Sequence, residues 1–112
     1  WELAQASKAG ITIQQSSIPI APETEVICRT LGINPYRMLS SGALLISARP
    51  RSANRIISSL RRHGIDARII GEMKPFKEGR SMVRDDGTRV EIKMPARDEL
   101  YRVLDESRGT LR

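Results

Sequence analysis

Apolar positions change period several times along the chain, and each change marks an element. Residues 43–48 (ALLISA) are almost all apolar, which predicts a central strand covered on both faces. Beyond Pro50, residues Ala53, Ile56, Ile57 and Leu60 fall at i, i+3, i+4 and i+7. That single stripe predicts an amphipathic helix, which Gly64 ends. Residues 67–72 (ARIIGE) read as a returning strand. A helix joining two strands of one sheet favours a right-handed crossover with the strands parallel. Residues 39–72 therefore read as a βαβ unit with its connectors.

The flanks extend this unit. Residues 1–8 have a helical pattern, with Trp1 and Ala4 on one face and Gly10 as the stop. Residues 11–15 (ITIQQ) alternate apolar and polar, as a half-buried strand does. Pro19 and Pro22 make residues 16–22 a loop. Pro22 also suits a first helical position, so a helix runs from there to Leu31 and stops at Gly32, with Ile27 and Leu31 on its inner face. Asn34 caps a short helix over residues 36–40. Residues 73–80 form a mixed-charge loop. Residues 81–84 and 88–93 flank Asp85-Asp86-Gly87, a tight-turn signal that predicts a β-hairpin ended by Pro95. Asp98 and Glu99 lead a last helix that turns Leu100, Val103 and Leu104 inward, and residues 105–112 read as a polar, frayed tail. The predicted fold class is α/β (α+β): a mixed β-sheet of about four to five strands packed by helices, containing the βαβ unit and the hairpin.

Composition bounds this picture. A chain of 112 residues forms one domain, here residues 1–104, and buries roughly two-thirds of its unfolded surface without disulfide or metal staples. The single cysteine excludes an internal disulfide, and a count of one histidine and one cysteine argues against a dedicated zinc or iron–sulfur site. With no signal peptide and no membrane-length apolar run, the expected compartment is the cytoplasm and no membrane partner is expected. The chain opens on Trp1, inside a helical pattern with no cap ahead of it, and so reads as a fragment of a longer protein.

Net charge is +6, and basic residues are densest from Arg49 to Arg68, where Asp66 is the only acid. An anionic partner such as nucleic acid is one reading and a solvated basic face is the other. Aromatic residues are only 4% of the chain and scattered, so no stacking platform for bases is evident, and the solvated face is preferred.

Candidate chemistry is sparse: no catalytic apparatus and no metal ligand set is visible. Ser40, Ser41 and Gly42 have two readings. They form either a backbone-lined turn at the edge of a ligand cleft, with hydroxyls able to bond phosphate, or a glycine entering a buried strand where no side chain fits. Arg49, Arg51 and Arg55 lie at a helix start and are candidate anion contacts. Cys28 reads as a structural, half-buried thiol and His63 as a helix-end residue. Asp85-Asp86 and Asp98-Glu99 are explained by turn and helix-start electrostatics. Neither a P-loop nor a GxGxxG motif is present.

Several segments together resemble one family: WELAQAS from Trp1, IPIAPE from Ile18, TLGINPYRMLSSGALLI from Thr30, GIDARIIGE from Gly64 and DELYRVL from Asp98. The chain is similar to the C-terminal domain of the aminoimidazole ribonucleotide (AIR) synthase-related superfamily, which includes the hydrogenase-maturation HypE proteins, selenophosphate synthetase and thiamine-monophosphate kinase. The hydrogenase expression/formation-like (HypE-like) branch is the nearest. The resemblance implies a two-domain, ATP-dependent parent that dimerises through its N-terminal domains. Those domains bind ATP through magnesium. This C-terminal domain would form the other wall of the cleft, with no cofactor and no catalysis of its own, and Ser40, Ser41 and Gly42 map to its cleft-facing turn. Two departures are visible. Ser41 stands where HypE proteins carry an acidic residue, and the chain closes on Gly109-Thr110-Leu111-Arg112, where they end in a cysteine. The expected function is the substrate-side domain of an ATP-dependent enzyme. The alternative is a basic, ferredoxin-like nucleic-acid-binding module.

Overall fold

The alternating residues after Gly10 become the centre of the sheet. The computed structural model describes residues 1–94, 96 and 98–110. In it, β1 (Gly10–Gln14) lies between β2 (Gly71–Lys74) and β3 (Arg80–Val83), and β4 (Arg89–Glu91) follows β3, giving the order β2-β1-β3-β4. β1 is antiparallel to β2, with Ile11 opposite Met73, and parallel to β3, with Ile11 opposite Arg80. β3 and β4 are antiparallel, with Met82 opposite Val90. The fold is thus α+β with a mixed sheet. Its contacts divide it into two units, residues 1–19 with 45–94, and residues 20–44 with the C-terminal helix.

In the sheet unit, Ala4 and Ile11 are the buried apolar side chains, and Ser81 is buried with its Oγ accepting from Arg89 at 2.8 Å. Two glycines are demanded by crowding. A Cβ on Gly71 would lie 2.1 Å from the Thr12 carbonyl oxygen, and one on Gly10 would lie 2.6 Å from the carbonyl oxygens of Gly79 and Pro75. The short α1 (Glu2–Ala6) has no side-chain cap, as its sequence predicts. Arg80 holds it to β3: the guanidinium lies 5.4 Å from the Trp1 ring centroid and donates to Gln5 Oε1 at 2.7 Å. The helix after Pro50 is α3 (Pro50–Arg62), with Ala53, Ile56, Ile57 and Leu60 half-buried and Arg51, Arg55, Arg61 and Arg62 exposed, as the stripe predicts. His63 Nδ1 lies 2.8 Å from the Ser59 carbonyl, which can only accept, so His63 donates there as a helix-end residue. The Asp-Gly signal gives the expected hairpin: Asp86 Oδ1 accepts from the Thr88 N–H and hydroxyl, and Gly87 takes φ +82°. Pro95, expected to end this hairpin, lies outside the described residues.

Several local expectations change. Residues 43–48 form no ladder; Leu44 is 83% exposed and Leu45 52%. The βαβ unit therefore lacks its leading strand, and β2 pairs with β1 in the antiparallel sense. An apolar run reports a tendency to be buried, whereas a strand also needs a hydrogen-bonding neighbour, and pairing depends on distant sequence. The returning strand is also shifted. Ile70 contributes one carbonyl to Gln14 at 2.8 Å, and the strand runs on through Met73 and Lys74, which the sequence places in a loop. The helix expected over residues 36–40 shrinks to a 3₁₀ turn over Pro35–Arg37, capped by Asn34 Oδ1 accepting from the Tyr36 N–H at 3.0 Å. Met38 is already extended, so the segment is too short to propagate a helix.

In the second unit, α2 (Pro22–Leu31) starts on its proline and ends at Gly32 with φ +63°, and the Ile33 N–H closes back on the Cys28 carbonyl at 2.8 Å. Cys28 and Ile33 are the buried residues among those described in this unit, and the Cys28 thiol donates to Met38 Sδ at 3.6 Å. Ile27 and Leu31, expected inside, are 55% and 50% exposed, so the inward line runs through Thr24 and Cys28 instead. The last helix, α4 (Glu99–Thr110), starts with Asp98 accepting from the N–H groups of Leu100 and Leu39. It continues through residues 105–110, which the sequence reads as tail, because Arg102 bonds Glu99 behind it and Glu106 ahead at 2.8 and 2.9 Å. Residues 111–112 lie outside the described residues. Arg102 also donates to the Gly32 carbonyl at 3.1 Å, tying α4 to the end of α2.

Candidate functional site

The Ser40–Gly42 segment closes a four-residue turn in which the Ala43 N–H donates to the Ser40 carbonyl at 3.3 Å. Gly42 takes φ +86° at the third position, which a type II turn reserves for glycine. A Cβ added there would meet nothing within 4 Å, so conformation rather than crowding calls for the glycine. Ser40, Ser41 and Gly42 are all exposed, and the reading in which Gly42 enters a buried strand is corrected to an open turn.

The anion candidates lie in the other unit. Arg49 is the N-cap residue of α3 without capping it through its side chain, and Arg51 and Arg55 follow on one face at i, i+4. All three are exposed, and none has an ion pair among the described residues. The structure brings these arginines together at the start of α3 and places the serine–glycine turn in the unit of residues 20–44.

One polar depression is not among the candidates read from the sequence. It holds about 410 Å³ and opens between the 3₁₀ turn over Gln15–Ser17, the α3 residues Asn54, Ile57 and Arg61, and the Arg68-Ile69 segment. The dense basic run up to Arg68 is its only sequence signal. That Ser16 and Ser17 approach this run follows from tertiary structure.

Perturbed carboxylates lie elsewhere. Hydrogen bonding from Arg102 holds Glu99 below the ordinary glutamate value, Thr88 does the same for Asp86, and Lys74 for Glu72. In each the largest cause is a structural hydrogen-bond partner, and no second carboxylate is among the causes. Among the described residues no group of three or more His, Cys, Asp or Glu is placed to hold a metal ion. No helix among them is long and apolar enough to cross a membrane.

A mixed-sheet α+β domain is the build that comparison with known proteins identifies. Residues 1–84 match the C-terminal domain of AIR synthase related proteins, and the chain belongs to that family. It is 34% identical over 104 residues to a hydrogenase expression/formation protein of Methanocaldococcus jannaschii, a match covering 91% of this chain and 31% of that protein. It is 30% identical over 74 residues to the carbamoyl dehydratase HypE of Rhizobium leguminosarum, covering 64% of this chain and 21% of that one. The fold matches the crystal structure of E. coli HypE with a TM-score of 0.75 and 26% identity, over 91% of this chain and 32% of the other. The chain thus spans about a third or less of the length of these relatives.

Proposed function

We propose that this chain is the C-terminal, cleft-forming domain of a longer ATP-dependent protein of the HypE-like branch, and that it is inactive alone. The observation that carries this reading is the family match over residues 1–84, in a chain whose relatives are about three times as long. ATP and Mg²⁺ belong to the preceding domain of the parent, and that domain is this chain's first partner. The Ser40–Gly42 turn faces the substrate side of the cleft, where a type II turn presents its backbone and two hydroxyls without needing side-chain support. Ser41 supplies a neutral donor at that edge. A carboxylate in its place would repel an anionic substrate, whereas a hydroxyl can bond to one.

ATP turnover by the parent chain, measured beside the same assay on residues 1–112, tests the division of labour. The parent is expected to hydrolyse ATP when its substrate is present, and the domain to give only background. Robust hydrolysis by the isolated domain would overturn the proposal.

A further inference from the structure

We infer that the depression beside α3 is a binding site for a phosphoryl oxyanion, independent of the proposed cleft turn. Residues able to donate line it from three parts of the chain: Ser16 and Ser17, Asn54, and Arg61 with Arg68. No carboxylate lines it. Ile57 and Ile69 supply the apolar part of its wall, which is how small-ligand sites are commonly built.

The guanidinium groups are only partly engaged. Arg61 uses Nε on the Ala67 carbonyl at 3.1 Å, which orients the side chain and leaves both terminal nitrogens. Arg68 gives Nε and Nη2 to Asp66 at 3.4 and 3.2 Å and keeps Nη1. Asp66 lies in the adjoining depression with Arg61 and Arg68, so it offsets part of the positive charge without entering the site. Among the described residues, neither serine hydroxyl nor the Asn54 amide makes a hydrogen bond inside the chain. Donor-bearing residues drawn from three segments suit a tetrahedral oxyanion with three or more acceptor oxygens better than a planar carboxylate with two. The depression is open to solvent and one arginine is half-neutralised, so affinity falls in the millimolar range and declines with salt.

The test is an amide-shift titration of the ¹⁵N-labelled 112-residue chain with inorganic phosphate, ionic strength held constant with chloride. Saturable shifts are expected at Ser16, Ser17, Asn54 and Arg68, with Ser40, Ser41 and Gly42 unmoved. Arg68→Gln and Arg61→Gln should each weaken binding about fivefold or more. Arg84→Gln removes the same charge from the hairpin turn and should leave the midpoint within about twofold. Unsaturable shifts spread over the basic residues, or equal losses in Arg84→Gln and Arg68→Gln, would reduce the depression to a solvated surface and overturn the site. Acetate binding as tightly as phosphate would overturn the phosphoryl assignment. The readout does not involve ATP or the parent protein, so it stands or falls separately from the cleft proposal.

Discussion

A methyl group at residue 71 would sit 2.1 Å from the Thr12 carbonyl oxygen and 2.9 Å from the Ile13 Cα, both rigid backbone of the central strand. Gly71→Ala must therefore push β2 away from β1. The expected cost is about 2–3 kcal/mol, which lowers the melting temperature by about 10 °C or more. Thermal melts followed by circular dichroism check this, and a variant melting within a degree or two of the parent sequence would refute the crowding argument. Gly42 needs its glycine for the opposite reason, an uncrowded turn at positive φ. The sequence offers both glycines without saying which constraint acts. Gly42 is singled out because it stands between serines and an apolar run. The need at Gly71 arises from pairing with residues almost sixty positions away, which no local pattern encodes.

At the scale of elements, Arg102 is held within α4 by Glu99 and Glu106 and joins that helix to the end of α2 through the Gly32 carbonyl. The hydrogen bond from Arg102 lowers the Glu99 pKa below its usual 4.5. A depressed carboxylate adds stability that is fully present above pH 4.5 and is lost as pH falls through the lower folded value. Acidification is therefore expected to loosen α4 from α2, with amide exchange in residues 99–106 quickening several-fold more than in the sheet. Glu99→Gln should flatten that acid response. Asp86 titrates in the same direction, so the difference between the original chain and Glu99→Gln is the diagnostic quantity. If both lose protection alike, Glu99 is not the group responsible. Elements with local punctuation are legible in the sequence: Pro22 and Gly32 bound α2, Pro50 and Gly64 bracket α3, and Asp86-Gly87 turns the hairpin. Residues 43–48 and the inner face of α2 are misread because both depend on what lies opposite them. The polar depression escapes for the same reason, since Ser16 and Arg68 meet only in the fold.

Taken whole, the chain leaves much apolar surface uncovered. Leu39 and Leu44 are more than four-fifths exposed, and Val26, Phe76 and Met94 each at least 60%. Single exposed apolar residues are ordinary, but so many on a chain of this size leave little of it dry. Residues 1–112 in isolation are therefore expected to bind a hydrophobic dye and to self-associate at micromolar concentration. On the proposed function, the longer parent chain should do both more weakly at equal molarity. Dye titration and sedimentation velocity measure the two effects, and a monodisperse, dye-silent fragment would contradict the exposure seen here. The family was legible from ordered segments such as those around Leu31 to Asn34 and Ser40 to Ile46, whereas no local pattern names a substrate.

The stacking of Arg80 on Trp1 has an optical consequence. The chain has one tryptophan, so all indole fluorescence reports the single place where α1 meets β3. A cation over the ring is worth about 0.5–1 kcal/mol at an exposed site, enough to hold the indole in one environment but not to hold the sheet together. Arg80→Met should shift the emission towards that of free indole in water while far-ultraviolet circular dichroism stays unchanged. An unaltered spectrum would mean that the ring is held by something other than Arg80. The protein thus carries an intrinsic gauge that reads detachment of its first helix separately from global unfolding.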